Sequence, residues 1–480
     1  MQQPHVVIVG GGIAGLAAAF FLRDEAVRVT VLEGSPRLGG KLSVSEIAGV
    51  AVDEGAEALL VTRPEGIALI AEAGLSDQRT VPGTTSSAIW TLGALRPLPR
   101  RQFMGVPSDM AELARSGVLS AEGVARARQD VDLPSTPRDG DMPVAGYIAA
   151  RLGGEVVDRL VDPLLGGVYA GRSAQLSFDA TLPALAAASR QHRSLAAAAR
   201  SLLPPPEQAP AGTRAGGSVF TTLTAGLGML PAYLAKASGA EVRTAAIARE
   251  LARARSGWRL TVGSAAAPEH IDADAVILAI PARPAGRLLA DVPGVSAAVT
   301  AFGEIGYASM AIVTLAYPRP AFPGSGLAAL GWSGYLVPAV DGRAVKAVTF
   351  STVKWPHLAD ATAEPLEIVR CSVGRVGEEA LLQRADEDLA ALAAAELAEA
   401  TGVRGGPAAF RVTRWGGALP QYTVGHLDRV ARIRAAVAAQ PGLAVCGAAY
   451  DGVGIPACIA TARIAASQVM AFLAARPPAG

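Results

Sequence analysis

The segment VVIVGGGIAGLAAAFFLRDEAVRVTVLEGSPRLGGK, beginning at residue 6, constrains the fold more than any other stretch of this chain. Val6 to Val9 is a β-branched run that ends in glycines, and Ile13 to Leu22 is rich in Ala and Leu, so the order is strand, tight turn, helix. Val27 to Leu32 follows without polar alternation, as a parallel strand buried on both faces would. Gly10, Gly12 and Gly15 make the pattern GxGxxG between the first strand and the helix. The first glycine permits the turn, the second lets the backbone approach a pyrophosphate, and the third allows close helix–strand packing. Free N–H groups at Ile13 and Ala14 and the helix dipole would meet the phosphate charge. Glu33 ends the second strand, where a carboxylate can accept both hydroxyls of a ribose and disfavours a 2′-phosphate.

A length of 480 residues favours two or more folding units with a cleft between them. Lys and Arg total 43 against 42 Asp and Glu, so nothing points to a nucleic-acid partner, and an acidic ligand must be met by a few local cations. Cys371, Cys446 and Cys458 form no CxxC pair, which argues against a disulfide framework, a zinc site or an iron–sulfur cluster and fits a reduced cytoplasmic setting. Much of the 51% hydrophobic content is alanine, and no uninterrupted apolar run approaches the ~20 residues that span a bilayer. A transmembrane helix is therefore not expected. MQQPH runs straight into a strand, so the mature chain is expected to begin there.

Residues 110–202 read as a helical insertion, with helical periodicity in 144–161 and 183–203, and close in the Pro-rich connection LPPPEQAPAGTRAGG at 203–217. Arg and Asp scattered through the insertion suggest a solvated face. After it, 219–236 looks helical, 240–252 and 257–263 look like strands, and 273–282 looks like a buried strand closed by Pro281. Short strand-like runs over 303–356, such as MAIVTLAY, predict an antiparallel sheet in a second domain, and helix returns at 378–400. The last segment reads as strand, glycine turn and long helix, with Gly452, Gly454 and Pro456 at the helix start, an arrangement suited to unpaired N–H donors.

The continuation beyond Glu33, GSPRLGGK, resembles the extended fingerprint of the FAD-containing amine oxidase and protoporphyrinogen oxidase superfamily. That resemblance implies that Gly34, Arg37, Gly39, Gly40 and Lys41 help to hold FAD. It also implies flavin contacts at Gly55, Ala56, Trp415, Gly447, Tyr450, Val453, Gly454 and Ile455, and a backbone contact of Ile247 with the adenine. DPLLGGVYAGR (162–172), SVFTTLTAGLGMLPAYL (218–234), STVKWPHLA (351–359), PQYTVGHLDRVARI (420–433) and CGAAYDGVGIPACI (446–459) look like the oxygen-dependent protoporphyrinogen and coproporphyrinogen oxidases. Within that family the composition most resembles the soluble coproporphyrinogen III oxidases of Gram-positive bacteria.

The implied fold is mixed α/β. An FAD-binding domain is assembled from 1–75, 215–290 and 405–480, a substrate domain with an antiparallel sheet from 76–109 and 291–404, and a helical domain from 110–214. The implied reaction removes six electrons from coproporphyrinogen III in three hydride transfers to flavin, with oxygen as acceptor and hydrogen peroxide released. The substrate activates itself by conjugation, so no metal and no nucleophile is expected. Arg63 is the first candidate partner for a propionate, since a guanidinium can bind a carboxylate in bidentate fashion; a solvated surface arginine is the alternative. Lys354, read as a strand-edge lysine, is the second, and Tyr169 either lines the cleft or packs in the core. Trp415 and Tyr450 are likewise placed at the flavin or in plain core packing. His426 is expected to hold a structural hydrogen bond, and Cys446 and Cys458 to be small apolar residues flanking the flavin loop.

Competing readings are protoporphyrinogen IX oxidase, an amine oxidase, a carotenoid desaturase and a porphyrin carrier without turnover. Expected associations are the porphyrinogen and oxygen, with a transient contact to ferrochelatase, in a cytoplasmic monomer with peripheral membrane contact left open.

Overall fold

The computed structural model describes residues 3–136, 140–204, 218–361 and 365–476, so the Pro-rich connection expected at 203–217 lies almost wholly outside the described residues. His5–Val9 forms strand β1, Ile13–Phe21 helix α1 and Arg28–Leu32 strand β2. They belong to a five-stranded parallel sheet in the order Glu241–Arg243, β2, β1, Ala275–Leu278, Leu443–Val445. Alternate β1 side chains enter opposite cores, as the two-residue period of a strand requires. Val6 and Ile8 pack in the core of α1 and the C-terminal helix, Ile455–Ala474, whereas Val7 and Val9 pack in that of Trp258, Leu289 and Phe302. From β1 the chain's later strands are laid down first on one side and then on the other, so the carboxyl end of β1 is the switch point where a crevice opens.

By length and composition the C-terminal helix could cross a membrane, contrary to the expectation that no segment would, with Arg463 as its one charged residue. In the fold it is a core helix. Ile459, Ala462, Ala466 and Val469 are buried in the same core as α1, and Arg463 pairs with Glu72 at 2.7 Å on the outer face.

A second, seven-stranded sheet runs Ala409–Pro420, Tyr307–Pro318, Leu366–Val373, Val345–Phe350, Gly334–Leu336, Ala88–Thr91, Ala94–Pro97. Its pairs are antiparallel, as expected, except that Tyr335 and Leu336 lie parallel to Ala88 and Ile89. The exception arises because the 88–97 hairpin joins from far upstream, where no tight turn dictates direction.

Between 110 and 201 the described residues are mainly helical, around a core that Ile89, Val106 and Tyr422 also enter. The charges there are not all solvated, as the sequence suggested. Arg151 and Asp130 are each 1% exposed and paired at 2.7 Å, and Asp130 also accepts from Ser194 Oγ and Ala196 N. A buried ion pair of this kind persists because every polar atom finds a partner.

The helix expected over 219–236 begins only at Leu230. Phe220–Leu223 is a strand between Leu59–Leu60 and Arg79–Thr80, because the run VFTT, of β-branched and aromatic residues, finds two distant strands to pair with. Lys354 likewise lies on no strand; it ends the short helix Ser351–Lys354.

Candidate active site

At the end of β1 the chain turns through Gly10, whose N–H donates to Leu32 O at 2.7 Å. A Cβ on Gly15 would stand 1.9 Å from Gly10 O, so helix and turn touch backbone to backbone. Gly12 differs: nothing nearer than Gly40 Cα, at 4.0 Å, faces a Cβ built there, and the space in front of it is an open slot. Gly39 N donates to Gly11 O at 2.8 Å and draws the second glycine pair against the first. α1 begins with an extended Gly12, no side-chain cap and no acid in its first turn, so the donors at Ile13, Ala14 and Gly15 face the slot with the positive pole of the helix.

The Glu33 carboxylate lies at the end of β2 and accepts from Gly11 N and Ser35 N, each at 2.7 Å. Beside it, a Cβ on Gly34 would meet Ile247 Cγ1 at 3.3 Å, and Ile247 is 48% exposed, an apolar face next to the acid. Arg37 folds over its own turn and donates to the carbonyls of Leu38, Gly40 and Leu42, with its guanidinium 5.6 Å from the Trp415 ring centroid. Lys41 O meets Ala56 N at 3.4 Å, and burial lowers the Lys41 ammonium below its usual pKa. Trp415 Nε1 donates to Glu54 O at 3.0 Å, and its ring would lie 3.3 Å from a Cβ on Gly55. Lys41, Gly55, Ala56 and Trp415 thus form one wall.

The opposite end of the chain closes the crevice. A Cβ on Gly447 would stand 3.7 Å from Ala14 Cβ, which brings the 446–454 loop onto the first turn of α1. The C-terminal helix starts after an extended Gly454, again with no side-chain cap and no acid in the first turn, so Val453, Gly454 and Ile455 stand at a second bare positive pole. The Tyr450 ring, by contrast, is buried in the core with Val7 and Val9, and only its main chain belongs to the loop. Cys446 and Cys458 are buried in the core beside α1, as expected of small apolar residues.

Arg63 precedes the helix Pro64–Glu72, half exposed, 3.5 Å from Glu65. Lys354, the second candidate, donates from Nζ to Glu57 Oε1 at 2.6 Å, so its ammonium already has a carboxylate partner within the protein. Tyr169 is buried, 5.5 Å from the Tyr422 ring, and burial pushes its phenol up to about 12.

Three residues of this region escaped the sequence reading. Glu57 binds both Lys354 and Arg370, and these cations, acting against the cost of burial, hold its carboxyl down to about 2. Arg370 also donates to Gly55 O at 2.7 Å. Its one signal was an arginine inside the apolar strand LEIVRCSV. Tyr422 Oη donates to Ala448 O at 2.6 Å and accepts from Gly452 N at 2.8 Å; the motif PQYTVGH carried it, but only its histidine was singled out.

Two uncapped helix starts, an open glycine slot between them and an acid at the end of β2 together define a flavin-dinucleotide site on a parallel sheet. The flavin containing amine oxidoreductase family model matches residues 13–470, and the chain belongs to that family. Over 99% of both chains it is 38% identical to coproporphyrinogen III oxidase of Mycobacterium tuberculosis, and over 98% of this chain and 99% of the relative it is 31% identical to that of Bacillus subtilis. A solved structure of a putative protoporphyrinogen oxidase from Exiguobacterium sp. 255-15 superposes with a TM-score of 0.83 at 30% identity, covering 99% of this chain and 100% of that one. The protein is an FAD-dependent oxidase.

Proposed function

We propose that this chain oxidises coproporphyrinogen III to coproporphyrin III in haem biosynthesis, with oxygen as acceptor. What carries the proposal is relatedness along the whole chain to enzymes of that name, together with a cofactor crevice whose parts come from both ends of the sequence. FAD, when bound, would supply the redox chemistry, the removal of six electrons in three two-electron rounds with oxygen as acceptor and hydrogen peroxide as its product.

The protein's part is to bind and orient. The turn Gly10–Gly15 and the positive pole of α1 would take the diphosphate, Glu33 the ribose and Ile247 the adenine. Lys41, Gly55, Ala56 and Trp415 would back the ring system, and the positive pole at Val453–Ile455 would stabilise the negative charge it gains on reduction. Arg63 remains the propionate partner and Tyr169 a cleft residue. The partition into cofactor segments 1–75, 215–290 and 405–480, substrate segments 76–109 and 291–404 and helical segment 110–214 belongs to this proposal, as do a cytoplasmic monomer and delivery of product to ferrochelatase.

Protoporphyrinogen IX oxidation is the second reading, favoured by 26% identity to the chloroplastic protoporphyrinogen oxidase of Nicotiana tabacum. Side-by-side rates on the two porphyrinogens, read as porphyrin fluorescence with oxygen uptake, decide between them. Faster turnover of the tetracarboxylic substrate is expected; a preference for the dicarboxylic one overturns the first reading, and bound FAD without turnover of either favours a carrier.

A further inference from the structure

A small cavity lies where the strands Val50–Asp53 and Phe220–Leu223 meet the second sheet and the short helices Ser351–Lys354 and Pro356–Asp360. It offers about 20 Å³ to the centre of a water-sized sphere. Five residues of its wall each bring a buried polar atom with no hydrogen-bond partner among the described residues: Thr222 Oγ1, Ser351 Oγ, Trp355 Nε1, His357 Nδ1 and Arg370 Nε. Thr222, Ser351, Trp355 and Arg370 are between 1% and 7% exposed, so bulk solvent does not serve them. A buried donor or acceptor left unpaired forfeits its hydration without return, and native folds do not repeat that cost five times around one space.

The chemistry of the wall selects the occupant. Trp355 Nε1 and Arg370 Nε can only donate, the two hydroxyls can donate and accept, and a neutral imidazole can do either. A cation is opposed by the two obligate donors, and no group of three or more His, Cys, Asp or Glu suited to a metal exists among the described residues. An anion is opposed by the Asp53 and Glu57 carboxylates on the same wall. An apolar gas would leave all five atoms unmet. A water molecule has two lone pairs for the obligate donors and two protons for the acceptors, and a space of this size exceeds the ~10–15 Å³ one requires.

We propose that this cavity is an internal water site, in which an ordered water joins Thr222 on the cofactor-sheet side to Ser351, Trp355 and Arg370 on the side of the second sheet, with His357 left to the water outside. Arg370 is the same residue that holds Gly55 O and Glu57, so the water completes the support beneath the 53–57 segment. His357 is the partly exposed member of the set and puts the site one side chain away from the surface.

The test is a high-resolution crystal structure of the FAD-loaded protein together with water-selective NMR of its indole protons, the Trp355 signal being assigned by its loss in Trp355→Phe. Density for water within hydrogen-bond distance of Trp355 Nε1 and Arg370 Nε, with a cross-peak from the Trp355 indole proton to long-lived water, is expected. In Thr222→Val, which keeps the side-chain shape, the water should remain but with a higher displacement factor than in the wild type. A dry cavity, a halide or metal ion at the site, or Trp355 and Arg370 turned onto protein acceptors would each overturn the proposal.

Discussion

The Tyr422 ring lies flat on the His426 imidazole, with centroids 3.7 Å apart and planes 14° from parallel. The pair works as a clamp on the loop before the C-terminal helix. Tyr422 Oη bridges Ala448 O and Gly452 N, and His426 Nε2 lies 3.2 Å from Tyr450 O, so the ring nitrogen is the donor. Three contacts from one stack therefore set where that helix points.

Tyr422→Phe keeps the stack and removes the hydroxyl, which leaves Ala448 O and Gly452 N without their partner. Two lost bonds of about 1 kcal/mol each predict FAD binding weakened roughly tenfold or more. Titration of the apoprotein with FAD, followed by flavin fluorescence, measures it. An unchanged affinity would separate the loop from the cofactor.

His426 carries a pH signature. Burial pushes its imidazole down to about 4 from 6.5, despite the Tyr450 carbonyl. In the unfolded chain the ring takes a proton at a pH where the folded ring refuses one, so the stability it contributes is complete above 6.5 and is lost as pH falls towards about 4. The stability gap between wild type and His426→Asn should therefore narrow by about 3 kcal/mol across that window. Urea unfolding at several pH values checks it, and a gap independent of pH would refute it.

Gly12→Ala and Gly15→Ala should fail differently. A Cβ at residue 12 meets only Gly40 Cα, at an unstrained 4.0 Å, so the variant should fold with a wild-type circular dichroism spectrum yet come out nearly colourless, its slot filled. At residue 15 a Cβ would stand 1.9 Å from Gly10 O, and that variant should be insoluble or strongly destabilised. A yellow Gly12→Ala protein would move the diphosphate elsewhere.

Arg63→Ala should raise the Michaelis constant for coproporphyrinogen III roughly tenfold, the scale of one charge-assisted hydrogen bond, with flavin content unaltered. Lys354→Met should show the opposite pattern, with lower stability from leaving buried Glu57 to Arg370 alone and little change in the constant once folded protein is compared. Equal constants for Arg63→Ala and wild type would remove Arg63 from the cleft.

What could be read in advance followed sequence distance. The Gly10–Gly15 turn and Glu33 were legible because strand, turn, helix and second strand are contiguous, and each glycine answers a local steric demand. The strand Phe220–Leu223 was not, because its partners at 59–60 and 79–80 lie far upstream and the helix that follows it masks the change of period. The pairing of Lys354 was hidden for the same reason: Glu57, which neutralises it, is 297 residues away. The Arg151–Asp130 pair shows that a charge in an amphipathic pattern reports its exposure only when no partner is folded against it.

The outer strand Leu443–Val445 and the helix after it complete a sheet whose first strand is residues 5–9. A chain emerging from a ribosome therefore exposes an unpaired edge at Ala275–Leu278 throughout the synthesis of more than a hundred and sixty further residues. Flavin capture, which needs both helix starts, becomes the closing event of biosynthesis, so flavin supply would govern how many finished chains are trapped in the folded state.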